Sequence, residues 1–199
     1  MYEKSQATIA HILDAAQASF VAHSYDDITM TAIAREANVT KGAIYHHFSS
    51  KEELFLAMMS RYLSGLEALL GQAVAMEASA YVRLTRLTAL FLQQPLPEQR
   101  VMQLVRRDAN RFAGATRDQL IRAYQAALSN QIEVIIGDGI AAGEIGAGNM
   151  RLLAWQYVAI VEVCLSDYAR QQFADPEAMA RSLTTLFFNG VGQPAPITE

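Results

Sequence analysis

The sequence predicts an all-α fold: an N-terminal three-helix head followed by a helical body, about nine helices in all. Three observations carry this. Apolar residues recur at spacings of three and four along most of the chain, and no stretch shows the period-two alternation of a half-buried strand. Hydrophobic residues make up 52% of the 199, enough for a sizeable core and incompatible with disorder. Helix-start signals, a capping side chain with an acid in the first turn, stand ahead of the apolar runs.

The elements follow in order. Ile9, Leu13, Ala16 and Phe20 give residues 6–21 one apolar face, the pattern of an amphipathic helix packed across its successors. The polar run His23-Ser24-Tyr25-Asp26-Asp27 ends it. Thr29 is placed to cap a second helix, with Ile33, Ala34 and Ala37 inward. Asn38-Val39 makes a turn, and Thr40 caps a third helix, Lys41–Phe48, with Ile44 and Phe48 inward. Small residues Ala34, Ala37, Gly42 and Ala43 let these two helices approach closely. Ser50-Lys51-Glu52-Glu53 fits a capping box and opens a long helix to about Met76.

In the body, Tyr81–Leu92 reads as a helix broken by Gln94-Pro95-Leu96-Pro97, and Glu98–Phe112 as the next. A second capping box, Thr116-Arg117-Asp118-Gln119, starts a helix to about Ala142. The loop Gly143–Gly148 ends at Asn149, an N-cap. Met150–Gln171 is apolar on more than one face, the mark of a buried helix. Asp175-Pro176-Glu177 supplies a cap, a proline at the first helical position and an acid for the last helix, Pro176–Asn189. The organisation is therefore a head at 1–50, a body at 51–190 and a flexible tail at 191–199.

Two short helices joined by a tight turn, with small residues at their crossing, have the geometry of a helix-turn-helix, whose second helix lies in a DNA major groove. The run Val39-Thr40-Lys41-Gly42-Ala43-Ile44-Tyr45-His46-His47-Phe48, followed by Ser50-Lys51-Glu52-Glu53-Leu54, resembles the recognition-helix signature of the TetR family of transcriptional regulators. The motif occupies 29–48, and the resemblance extends to about residue 65. It implies a homodimer with two DNA-binding heads and a ligand-sensing helical body, most often a repressor that a small molecule releases from a palindromic operator. Ser24 departs from the glycine common before the aromatic in this family.

Outward positions on the motif are candidate DNA contacts. Thr40 offers a hydroxyl and a helix N-terminus to a phosphate. Lys41 can reach a guanine edge or a phosphate, and Ala43 a thymine methyl. Gly42 leaves room for the nucleic acid, Thr31 reaches the backbone, and Lys51 serves as a phosphate clamp. The resemblance adds Tyr45 and His46 as phosphate or sugar contacts. His47 points nearer the packed side. A metal site at His46-His47 is disfavoured, since adjacent helical side chains diverge and no third ligand accompanies them.

Charge runs against this reading. The chain has 16 basic and 20 acidic residues and a pI near 5.6, whereas phosphate attraction dominates DNA affinity. Residues 1–51 hold Lys4, Arg35, Lys41 and Lys51 against Glu3, Asp14, Asp26, Asp27 and Glu36. A few well-placed donors, doubled by dimerisation, must suffice. Cys164 is the single cysteine, which excludes an internal disulfide and a multi-cysteine zinc site. It reads as a buried, inert thiol. A polar Met1–Gln6 and the lack of any long apolar run point to a cytoplasmic protein without a membrane span. No cofactor is expected.

The last two helices are the expected dimer interface, because a helix apolar on two faces needs two partners. Trp155, Ile160, Cys164 and Leu165 on one, with Met179, Leu183, Leu186 and Phe187 on the other, are the candidates. An unidentified effector would be lined by Tyr62, Phe91, Met102, Arg106, Phe112, Tyr124, Trp155 and Tyr157. Segment 100–122 is the most basic stretch, with Arg100, Arg106, Arg107, Arg111, Arg117 and Arg122 against Asp108 and Asp118. It is either a solvated helix face or the source of one inward arginine that, near Asn110 or Asp108, anchors an anionic effector. An enzyme is disfavoured: there is no Gly-rich phosphate loop, nucleophile elbow or metal triad. All four histidines, His11, His23, His46 and His47, lie in the head. An activator, a ligand-independent regulator or a helical protein-binding adaptor are the alternative readings.

Overall fold

The computed structural model describes residues 2–191, with side chains from 5 to 190 except that of Arg106. Beyond the backbone of Val191, the expected tail lies outside the described residues. Among these the fold is all-α, with α1 Tyr2–Ala22, α2 Met30–Glu36, α3 Lys41–His47, α4 Lys51–Val74, α5 Ala80–Leu92 and α6 Leu96–Asp108. There follow α7 Gly114–Tyr124, α8 Asn130–Ala141, α9 Met150–Val163, α10 Asp167–Gln171 and α11 Pro176–Val191.

Nine expected helices become eleven through two interruptions. Residues 114–141 are helical throughout, but the middle, Gln125–Ser129, winds as a π-helix between α7 and α8. Helix α7 opens at Gly114, so Thr116 falls inside the first turn and its expected capping box does not form. The expected helix Met150–Gln171 is broken at Cys164–Ser166. There the Ser166 side chain accepts from Ala169 N and starts α10 afresh, as a serine ahead of an acid does.

The other caps are as expected. Thr29 accepts from Ala32 N at 3.1 Å, Thr40 from Ala43 N at 3.1 Å, Asn149 from Leu152 N at 3.0 Å and Asp175 from Ala178 N at 2.7 Å. At the start of α4 the box is shifted. Glu53 N donates to Ser50 Oγ at 3.1 Å, but the Glu53 carboxylate accepts from Ser49 N at 2.8 Å and Ser49 Oγ at 2.6 Å. Those two bonds lower the Glu53 pKa.

The chain forms two compact units, one of residues up to 64 with 96–123, the other of 65–95 with 124 onward. In the first, α1 packs on both α2 and α6. Ile12, Phe20, Ile33, Ile44, Phe55 and Met58 are fully enclosed. Each such side chain contributes roughly 1.5–3 kcal/mol by leaving water. An aromatic cluster closes one end: Tyr25 stacks on Phe20 at 5.6 Å and meets Phe55 and Phe112 edge-on at 5.5 Å each.

In the second unit α5 lies between α11 and α8, and α8 against α9. Arg83, buried, donates to Asp138 at 2.7 Å and to Val74 O at 2.7 Å. The enclosed Tyr157 hydroxyl bonds Thr88 at 2.6 Å, Thr184 at 2.9 Å and Leu84 O at 3.3 Å, joining α5, α9 and α11. Burial pushes its pKa up to about 12, against the lowering effect of the two threonine bonds. Helix α9 is not enclosed all round as expected. Ala154, Tyr157 and Val158 are buried, but Leu152, Trp155 and Val163 are exposed.

Candidate DNA interface

The motif is built by local chemistry. Helix α2 ends where Asn38 N donates to Arg35 O and Val39 N to Ala34 O, with Asn38 in the left-handed region at φ 55. That pair of bonds is a Schellman ending, for which asparagine is the usual substitute for glycine. It reverses the chain within two residues and delivers Thr40 to cap α3. Ala34 and Ala37 are buried at the crossing. Gly42 is not part of that close approach: it is exposed, and a Cβ there would meet only Thr40 Oγ1 at 3.9 Å.

Helix α3 thus shows a sharply divided surface. Ile44 and Phe48 face the core, His47 and Ala43 are half-buried, and Lys41, Gly42, Tyr45 and His46 are exposed. Tyr45 is 46% exposed, and the Lys41 ammonium lies 5.9 Å from its ring centre. Thr40 and Thr31 are exposed too. The Thr40 oxygen accepts within the chain but its O–H remains a donor. Six of the eight expected contacts, Thr31, Thr40, Lys41, Gly42, Tyr45 and His46, are therefore exposed, and Ala43 is half-buried.

Lys51 is different. Its ammonium donates to Tyr25 O at 2.7 Å and Ile28 O at 2.9 Å and sits 4.4 Å above the centre of the Tyr25 ring. Instead of reaching outward as a phosphate clamp, it fastens the start of α4 to the turn that precedes α2. Tyr25, the floor of that contact, has its pKa raised, mainly by burial and then by Glu52, Asp26 and Asp108.

The basic segment resolves into a clamp that the sequence did not reveal. Asp108, with a fully buried side chain, accepts from Arg107 Nε at 2.8 Å and Arg111 Nε at 3.0 Å. Arg107 also donates to Phe20 O at 2.9 Å and His23 O at 3.1 Å, the carbonyls at the end of α1. Arg111 pairs with Asp26, and these carboxylates raise its own pKa. The end of α6 is thereby strapped to the corner between α1 and α2. Neither expectation for this segment, solvated face or effector anchor, describes Arg107, Asp108 or Arg111. Partners more than 80 residues apart carry no sequence signal.

The remaining candidates divide similarly. Phe112 belongs to the aromatic cluster beneath Tyr25, stacked on Phe55 at 5.2 Å, rather than to a ligand cavity. Tyr157 has its hydroxyl fully occupied. Phe91 and Met102 are buried, and the side chain of Arg106 lies outside the described residues. Tyr124, buried, stacks on Trp155 at 6.3 Å. Among the described residues, Tyr62 alone of the three tyrosine candidates has a buried hydroxyl without a partner, its pKa raised by burial and then by Glu98. Of the interface candidates, Met179, Leu183 and Phe187 are buried within their own chain, as α11 packs its apolar face on α5. Leu186 is 61% and Trp155 41% exposed, and Ile160, Cys164 and Leu165 are partly open. Burial raises the Cys164 thiol pKa.

A divided seven-residue helix, capped at a two-residue reversal and presenting cationic, hydroxyl and aromatic groups outward, defines a helix-turn-helix DNA-binding regulator. Known proteins share this motif. Residues 12–58 match the model described as bacterial regulatory proteins, tetR family. The uncharacterised HTH-type transcriptional regulator YhgD of Bacillus subtilis is 26% identical over 160 residues, 80% of this chain and 83% of that protein. The regulator SrpR of Pseudomonas putida is 41% identical over 64 residues, 32% of this chain and 30% of SrpR. Among solved structures, FadR of Bacillus subtilis in complex with stearoyl-CoA aligns with a TM-score of 0.77 at 19% identity, covering 92% of this chain and 98% of FadR. PfmR of Thermus thermophilus aligns at 0.75 and 18% identity, covering 92% and 99%. The chain thus carries the tetR-type regulatory segment at residues 12–58 and has a fold similar to that of TetR-family transcriptional regulators.

Proposed function

We propose that the chain is a homodimeric repressor that binds a palindromic operator through α3 and leaves it when a small molecule occupies the body. Residues 1–50 act as the DNA-binding head and 51–190 as the effector-binding and dimerisation body. The observation that carries the DNA reading is the exposure of Thr31, Thr40, Lys41, Gly42, Tyr45 and His46, with Ala43 half-buried among them. Tyr45→Ala should weaken binding to the chain's own upstream DNA in a gel shift at several salt concentrations, with an unchanged circular-dichroism melt. Wild-type affinity in that variant would refute the assignment.

Dimerisation is supported by the exposed stripe of Leu152, Trp155 and Val163 on α9, spaced by three and eight residues, together with Leu186 on α11. Those two helices from each copy can form a four-helix bundle. Leu186→Glu should yield monomer in sedimentation velocity; a wild-type chain that is already monomeric at all concentrations would remove the proposal. Tyr62 is the side chain best suited to an effector, since its enclosed hydroxyl has no hydrogen-bond partner among the described residues. An acyl-CoA is the first chemistry to test, because the FadR neighbour carries stearoyl-CoA. Stearoyl-CoA should release the protein from DNA and bind more weakly to Tyr62→Phe; if it neither binds nor releases, that ligand class is wrong.

A further inference from the structure

The motif and the start of α4, residues 29–51, contain three lysines and arginines: Arg35, Lys41 and Lys51. Lys51 spends its ammonium on Tyr25 O and Ile28 O. An acidic head must still neutralise phosphates to hold DNA, and that work falls to the other two. Both line one open cleft of about 450 Å³ between α2 and the start of α3, with Thr31, Asn38 and Thr40 beside them. Among the described residues no carboxylate lines this cleft. Arg35 is exposed, and it stands one helical turn beyond Thr31 on the same face of α2. Among the described residues it enters no ion pair, unlike Arg61, Arg83, Arg107 and Arg111.

We propose that Arg35 is a DNA contact: its guanidinium engages a phosphate at the edge of the groove that receives α3. This rests on the reading of α3 as the recognition helix. A guanidinium presents a planar fork of donors that matches two phosphate oxygens, and Lys41 and the two threonine hydroxyls complete an anion-complementary wall. The contact holds the backbone and carries no base preference. The competing role is a solvated arginine that favours the C-terminal end of α2; that role affects stability and leaves the salt dependence of binding alone.

The experiment measures the slope of log affinity against log salt for wild type, Arg35→Gln, Arg35→Lys and Arg86→Gln. Two probes serve, a duplex enriched by the wild-type protein from random DNA and an unrelated duplex. Arg35→Gln should reduce the slope by about 0.9 per head, hence about 1.8 for a dimer with both heads bound. The fold-loss in affinity should be the same on both duplexes. Arg35→Lys, which keeps the charge, should retain the slope even if a weaker fold makes Arg35→Gln hard to interpret. Arg86→Gln removes an equal charge from the other unit and should leave the slope unchanged. A wild-type slope in Arg35→Gln, or an equal loss in Arg86→Gln, overturns the proposal. Absence of any DNA binding by wild type would instead remove the functional reading on which it rests.

Discussion

Asp108 is the residue whose alteration most directly tests how the head is held. Its carboxylate has no exposure; it accepts from Arg107 Nε at 2.8 Å and Arg111 Nε at 3.0 Å, and pairs with Arg107 Nη2 at 2.7 Å. Breaking a fully buried ion pair costs about 3–5 kcal/mol. Here the two arginine side chains are 40% and 37% exposed, so water recovers part of the loss. Asp108→Asn keeps the volume and one acceptor, but turns an amide N–H toward guanidinium donors. The expected destabilisation is about 2 kcal/mol, from the loss of one charge-assisted bond and the repulsion between facing donors. Urea unfolding followed by far-ultraviolet circular dichroism gives the midpoint, and hydrogen exchange of peptides spanning 13–28 locates the change. In a cycle with Arg107→Gln the two effects should be less than additive, because both remove the same bonds. A loss below about 0.5 kcal/mol, with unaltered exchange at the end of α1, would show that the clamp contributes nothing and refute the reasoning.

Other outcomes follow from the same geometry. Lys51→Met should cost about 1–2 kcal/mol of stability through two lost bonds to carbonyls; its salt slope of DNA binding should equal that of wild type, whereas a phosphate clamp would lose slope. Gly65→Ala should stabilise by about 0.5–1 kcal/mol, since a Cβ there meets nothing within 4 Å inside α4. Gly139→Ala should lower the melting midpoint despite the same helix preference, because its Cβ would stand 2.7 Å from Ala80 Cβ and 2.9 Å from Ile145 Cδ1. The raised Tyr157 pKa, about 12 in the fold against 10.0 unperturbed, means that the unfolded chain loses its proton first. Stability is therefore full below pH 10 and falls as pH rises toward 12. Tyr157→Phe should start less stable at pH 7 and show a shallower decline across that window in unfolding titrations; an identical decline would exclude Tyr157 as its source.

Much of the fold was legible because its signals are local. Thr29, Thr40, Asn149 and Asp175 each bond an amide three residues onward, a relation visible in a short string. The reversal at Asn38 is likewise two hydrogen bonds long. Ser166 carried an equally readable cap, but the apolar run on both sides masked it. What periodicity supplied for Met179, Leu183 and Phe187 was an apolar face; it did not say that α5 of the same chain covers that face. Lys51 looked like any exposed lysine at a helix start, and its acceptors lie 23 and 26 residues earlier. The Asp108 clamp joins residues 85 and 87 apart. A single sequence holds no trace of such pairings, since each partner is chemically ordinary where it stands.

The inward turn of Lys51 also bears on how the regulator finds its target in a genome. Random DNA competes for a binding protein almost entirely through charge, and it offers about 10⁶–10⁹ sites. A head with few free cations dwells briefly on each wrong one. Copies are then not trapped along bulk chromosome, and occupancy of the true site follows the amount of protein made. A modest contact surface can thus give tight control with a small number of molecules, provided that two heads act together.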